Sequence, residues 1–141
     1  MEWADLHSDA GPRLFPADPE ARIEALTDEA LGNGMLDTAM ALLIERHLRA
    51  PEARDERVGP VCLHKLRAAL DWLEAEAARL AARPFDAGHI SVGVALSYLD
   101  FRFADLGWRT GRPALAAWHD GFRARPSVAA TDFRDDPRPE G

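Results

Sequence analysis

Apolar residues recur along this chain at helical spacing, in blocks separated by proline- and glycine-rich breaks. The longest block begins at Asp18 and Pro19, which suit an N-cap and a first helical position, and is predicted to run to about Arg49, where Pro51 stops it. Within it Ile23, Leu26, Ala30 and Ala41 are expected on one face. The stretch "MLDTAMALLI", residues 35–44, is apolar nearly all round, so it has to be covered on two sides. Gly32 and Gly34 each cost about 1 kcal/mol relative to alanine in mid-helix. Either the helix bends there or another backbone comes close.

A second long helix is predicted over about 55–83, with Val58, Cys62, Leu66, Ala69, Leu73, Ala77 and Leu80 in register and a charged outer face. A third, over about 87–106, lacks a polar face and ends at Gly107, which places it at the centre of a bundle. Pro113 opens a further helix in which Leu115, Trp118 and Phe122 share a face, and Pro126 starts a short final turn. The chain therefore reads as all-α, a four- to five-helix bundle over residues 19–132. Residues 1–18 form a lead-in that Leu14 and Phe15 can anchor, and residues 133–141 a mobile tail.

Composition agrees, since Ala, Leu, Arg, Glu and Asp outweigh the β-branched residues. At 141 residues one domain is expected, large enough to bury a core without covalent staples. A formal net charge of −7 argues against a nucleic-acid surface, which needs a concentrated basic stripe. A single cysteine, Cys62, falls on an apolar stripe and is read as core. With neither a signal peptide nor a membrane span in evidence, the cytoplasm is the expected compartment. Lys65 is the one lysine among 17 basic residues.

Catalytic signatures are missing. His7, His47, His64, His89 and His119 include no pair at zinc-binding spacing, so no metal is expected. There is no phosphate-cradling loop, nucleophile elbow or C-x-x-C pair. Glu45, Asp71, Glu74 and Glu76 fall where a solvated helix face would put them, and His119 and Asp120 diverge on a helix. His89 is more legible. With Asp86 as N-cap, Phe85 precedes it, His89 occupies the third helical position and Ile90 the fourth, so Phe85 and Ile90 form a hydrophobic staple. A neutral imidazole accepts the returning hydrogen bond of a capping box, whereas an imidazolium does not and is repelled by the helix N-terminus.

The stretch "ALSYLDFRFADLGWRTGRPALAAWHDGFRARPSVAAT" resembles the end of the all-helical C-terminal domain of bacterial glutathione S-transferases. "GMLDTAMALLIERHLR" is similar to that domain's first long helix, and "HSDAGPRLFPADPEAR" to the linker preceding it. The resemblance runs from about Leu6 to Thr131. It implies an orthogonal bundle of that domain's type. In the family the central helix opens with a Ser/Thr-x-x-Asp capping box and a staple. Asp86 here stands for the hydroxyl residue and His89 for the acid, from which His89→Asp is expected to raise the melting temperature, most visibly in acid.

The resemblance further implies that glutathione is the substrate of a full-length relative and binds mainly to a preceding thioredoxin-like domain. No cofactor and no catalytic residue are then expected in this chain. What it would contribute is a wall of the hydrophobic co-substrate pocket, from Leu31, Gly34, Met35 and Thr38 with Trp108, and a dimer interface. The chain is expected to be inactive in glutathione conjugation alone and to associate with a second copy or with the thioredoxin-like domain. The alternative is a free-standing helical interaction module without catalysis.

Overall fold

The computed structural model describes residues 1–8 and 11–135, and every regular element among them is helical. The elements are α1 (Glu2–Leu6), α2 (Pro19–Leu43), α3 (Val58–Ala82), α4 (Ala87–Arg102), α5 (Pro113–Arg123) and α6 (Pro126–Ala130). A π turn, Ile44–Leu48, extends α2, and short 3-10 turns lie at Pro51–Ala53 and Ala104–Leu106. Asp18 caps α2, accepting from the amide of Ala21 at 2.9 Å, with Pro19 at the first helical position.

Helix α4 is the core element, buried all round through Ala87, His89, Val92, Ala95, Leu96 and Leu99. Helix α2 packs along it, and α3 covers α2 on one side while holding α5 on the other. Cys62, Leu66, Leu70, Leu73, Ala77 and Leu80 form the buried stripe of α3, so Cys62 is a core residue. The lead-in docks through Phe15, which is buried, and through Leu14, whose carbonyl accepts from the amide of Ala87 at 3.0 Å.

The face of α2 differs from the one its apolar residues predict. Ile23 and Leu26 are exposed, and the buried residues are Ala25, Asp28, Gly32, Met35, Ala39 and Leu42. The cause is the closeness of α4. A Cβ on Gly32 would lie 2.4 Å from the backbone carbon of Ser91, and one on Gly88 would lie 2.7 Å from the Cβ of Asp28. Two backbones in contact leave space for small side chains, not for the larger apolar ones. Of the two expected explanations for the glycines, close approach holds at Gly32, while a Cβ on Gly34 would meet nothing within 4 Å.

Two carboxylates expected in solvent are structural. Glu45 is buried in the π turn, where it accepts from the amide of Asp55 and pairs with Arg49 at 2.9 Å. Glu74 of α3 reaches the first turn of α5 and accepts from the amides of Ala114 at 3.1 Å and Leu115 at 2.7 Å. The α5 N-cap, Arg112, offers no side-chain acceptor, so these orphan donors are satisfied from a neighbouring helix. Helix α4 ends at Arg102 rather than Leu106, and Gly107 terminates the following 3-10 turn at φ 55°.

At the carboxyl end Phe133 stacks on Phe101 with centroids 5.7 Å apart, and Asp135 pairs with Arg102 at 2.6 Å. The rest of the expected tail, residues 136–141, lies outside the described residues.

Candidate functional site

Between helices α2 and α3, around Met35, lies an open cavity of about 220 Å³. Leu31, Gly34, Met35 and Thr38 come from α2, with Ala30 at the edge, and Lys65, Leu66 and Ala69 come from α3. The four sequence candidates from α2 thus line one space, as spacings of three and four residues along a helix require. Its floor is apolar, because Met35 and Leu66 are core residues. The hydroxyl of Thr38 donates to the carbonyl of Gly34 at 2.7 Å, so its proton is committed to the backbone. The fifth candidate, Trp108, stands elsewhere. It is buried, and its indole N–H donates to Asp100 at 2.6 Å.

A charged network lies at the start of α4. Asp28, fully buried in α2, receives both arms of Arg79, at 2.9 and 3.1 Å, and lies 2.8 Å from Nη2 of Arg83. The bidentate hydrogen bond that Arg79 donates to Asp28 is the main cause raising its already high pKa. Arg83 also approaches Asp86 at 3.1 Å. Asp86 caps α4 by accepting from the amide of His89 at 3.1 Å, and its own amide faces Nδ1 of His89 at 3.3 Å, completing the capping box. Nδ1 also lies 2.7 Å from Oδ1 of Asp86, and Nε2 donates to the carbonyl of Leu80 at 2.9 Å. Burial raises the pKa of Asp86, but the hydrogen bonds from the His89 side chain and amide, with the charges of His89 and Arg83, hold it below the ordinary carboxylate value. Phe85 and Ile90, the expected staple pair, line one further cavity with Phe122 and Phe133.

One arrangement has the outline of a nucleophilic triad. Ser97 Oγ lies 2.9 Å from Nε2 of the fully buried His119, and Nδ1 of that ring is 3.7 Å from Asp100. Arg109 defeats it. Its Nη2 donates to Nδ1 at 2.7 Å, so the ring proton sits on Nε2 and points at the serine. A general base needs the opposite tautomer. Burial is the largest influence on His119 and, with Arg109 and Arg123 outweighing the pull of Asp100 and the Gly93 carbonyl, lowers its pKa to about 4. The ring is a neutral structural partner.

Sequence reading missed Asp28 and the Ser97–His119 pair. Their partners lie 51 and 22 positions away, and no spacing within one helix announces them. One signal for Asp28 was present: an acid three and four residues from Ala25 and Gly32, on a line of small residues. Among the described residues no group of three or more His, Cys, Asp or Glu is placed to hold a metal ion, and no helix is long and apolar enough to cross a membrane.

Known proteins share this architecture. A glutathione transferase family member from Pseudomonas fluorescens Pf-5, solved with S-(propanoic acid)-glutathione, is 42% identical and superimposes with a TM-score of 0.88 over 94% of this chain and 68% of its own. A glutathione S-transferase from Methylobacillus flagellatus KT, solved with glutathione, is 28% identical with a TM-score of 0.85, covering 92% of this chain and 65% of that one. The uncharacterized GST-like protein YibF of Escherichia coli K12 is 28% identical over 93% of this chain, which spans 65% of that relative's length. The family model for the glutathione S-transferase C-terminal domain matches residues 35–121, the heart of the bundle from α2 to α5, and the chain belongs to that family.

Proposed function

We propose that this chain supplies the co-substrate wall and the docking surface of a glutathione transferase, and that by itself it does not conjugate glutathione. The observation that carries this reading is the α2–α3 cavity. Its apolar floor and its lining by Leu31, Gly34, Met35 and Thr38 suit a small electrophile. The described residues contain no strand, and the cavity is lined by no serine, cysteine or tyrosine. Activation of the glutathione sulfur is therefore assigned to a thioredoxin-like unit. The adduct held by the Pseudomonas relative, with a propanoic acid on sulfur, supports a co-substrate of similarly small size. Trp108, committed to Asp100, is left out of the pocket.

The test is a conjugation assay on the isolated chain with glutathione and a range of electrophiles. No turnover is expected. Turnover by this chain alone would place thiol activation within it and overturn the proposal.

A second observation favours association. On α2 Leu26 and Met40 are exposed, as is Ile44 at the start of the π turn that extends it, about five turns from Leu26 along the same line. The nearby α1 exposes Trp3 and Leu6. Apolar surface of this kind calls for a cover, and a second copy of the chain together with a thioredoxin-like unit is the cover proposed. Sedimentation at micromolar concentration is expected to show a dimer, and a monomer throughout would remove the second copy from the reading. A dimer with no conjugation when a thioredoxin-like partner is added would favour the free-standing interaction module.

A further inference from the structure

We propose that the α2–α3 cavity selects a co-substrate bearing a carboxylate, and that Lys65 is the residue that selects it. The inference rests on the reading of this cavity as the co-substrate pocket and adds the charge of what enters.

Lys65 differs from the other cations of the chain. It is the single lysine, and it is the one charged residue lining the cavity. Arg79, Arg83, Arg109 and Arg112 each pair with carboxylates at 3.1 Å or less. No ion pair, hydrogen bond or ring contact engages Lys65 among the described residues. In a chain of formal net charge −7 most cations meet an acid; among the described residues Arg67 also lacks one, but it does not line the cavity, whereas Lys65 does.

The polar inventory of the wall narrows the ligand. The Thr38 hydroxyl has given its proton to the Gly34 carbonyl and offers only a lone pair. The remaining lining side chains of Ala30, Leu31, Met35, Leu66 and Ala69 are apolar. The Lys65 ammonium is therefore the one side-chain donor available to a ligand. A single compact cation with rotatable N–H groups suits a monoanion, whereas a phosphate dianion draws on several donors or a helix N-terminus. A volume near 220 Å³ admits a short apolar body between the carboxylate and the reacting carbon.

The experiment is an amide-resolved NMR titration of the full chain with 3-(methylthio)propanoate and, separately, with its methyl ester. Neither reacts, and they differ in charge. The acid is expected to shift the amides of Gly34 and Ala69 and to bind about five- to tenfold more tightly than the ester, with the difference shrinking as salt rises. In Lys65→Met the acid is expected to fall to the ester's affinity, and in Lys65→Arg to keep most of its advantage. Because Lys65 is exposed, both variants are expected to fold, which their own spectra report. Equal binding of acid and ester by the parent protein, or an acid preference that survives Lys65→Met, would sink the charge inference and leave the pocket standing. Shifts of Gly34 and Ala69 with neither compound would remove the pocket as well.

Discussion

The imidazole of His89 and the carboxylate of Asp86 lie 2.7 Å apart inside a buried helix cap. The same ring nitrogen faces the Asp86 amide at 3.3 Å. The two contacts ask opposite things of Nδ1: a proton for the carboxylate and a lone pair for the amide. In the related Ser/Thr-x-x-Asp cap the acid stands at the third helical position and the neutral group at the N-cap. Here those places are exchanged, and Arg83 stands beside the displaced acid.

This exchange reverses what the sequence alone predicts for His89→Asp. The substitution would set a second carboxylate beside Asp86 and delete the bond from Nε2 to the Leu80 carbonyl. Stability is expected to fall by about 2 kcal/mol. The double variant Asp86→Ser/His89→Asp, which rebuilds the related cap, is expected to recover most of the loss. Urea unfolding of the parent, His89→Asp, Asp86→Ser and the double variant gives the coupling directly, and additive losses would show that the residues act independently.

Two glycines in one turn of α2 are expected to respond with opposite signs. Gly32→Ala drives a methyl into the backbone at Ser91, which cannot move without shifting α4, and is expected to cost about 3 kcal/mol. Gly34→Ala meets open space and is expected to stabilise by up to about 1 kcal/mol through helix propensity. Thermal melts of the pair test the close crossing, and a mild effect at Gly32 would mean that the helices separate easily.

His119 makes stability depend on pH in a defined window. Its pKa of about 4 in the fold lies below the ordinary 6.5, so between those values the unfolded chain binds the extra proton. Stability from this group is complete above pH 6.5 and declines as pH falls toward 4, by roughly 3 kcal/mol in all. His119→Gln, which cannot take up the proton, is expected to flatten the profile in that range. Asp86, with its depressed pKa, contributes stability above the ordinary carboxylate value that is lost as pH falls through its lower folded value. An unchanged slope in the glutamine variant would acquit the histidine.

Asp28→Asn leaves Arg79 and Arg83 facing a neutral amide in a buried setting. Arg79 keeps Glu76 at 2.6 Å and Arg83 keeps Glu24 at 3.1 Å, so neither is abandoned entirely. A loss of about 3 kcal/mol is expected by chemical denaturation. A loss below about 1 kcal/mol would show that the outer acids suffice.

What the sequence disclosed was local. Asp18 with Pro19, Pro113 and Pro126 mark helix starts because a cap or a missing amide acts within one turn. Asp86 and His89 were readable for the same reason. Apolarity alone ranks Ile23 and Leu26 above Ala25, Asp28 and Gly32 on α2, whereas contact between backbones selects for smallness and tolerates an acid only where Arg79 of α3 and Arg83 at its end meet it. The cavity candidates on α2 could be grouped by helical spacing, but Lys65 and Ala69 come from a second helix whose register against the first no single-chain pattern supplies.

The carboxylate of Glu74 on the first amides of α5 bears on the order in which the domain assembles. Helix α4 carries its cap within its own first turn, so its start can be defined as soon as residues 86–89 come together. Helix α5 borrows its acceptor from 41 positions upstream. Its first turn closes on its own backbone, the Ala116 amide donating to the Arg112 carbonyl at 3.0 Å, but the amides of Ala114 and Leu115 gain a side-chain acceptor only with α3 alongside, so the start of α5 is tied to a distant part of the chain.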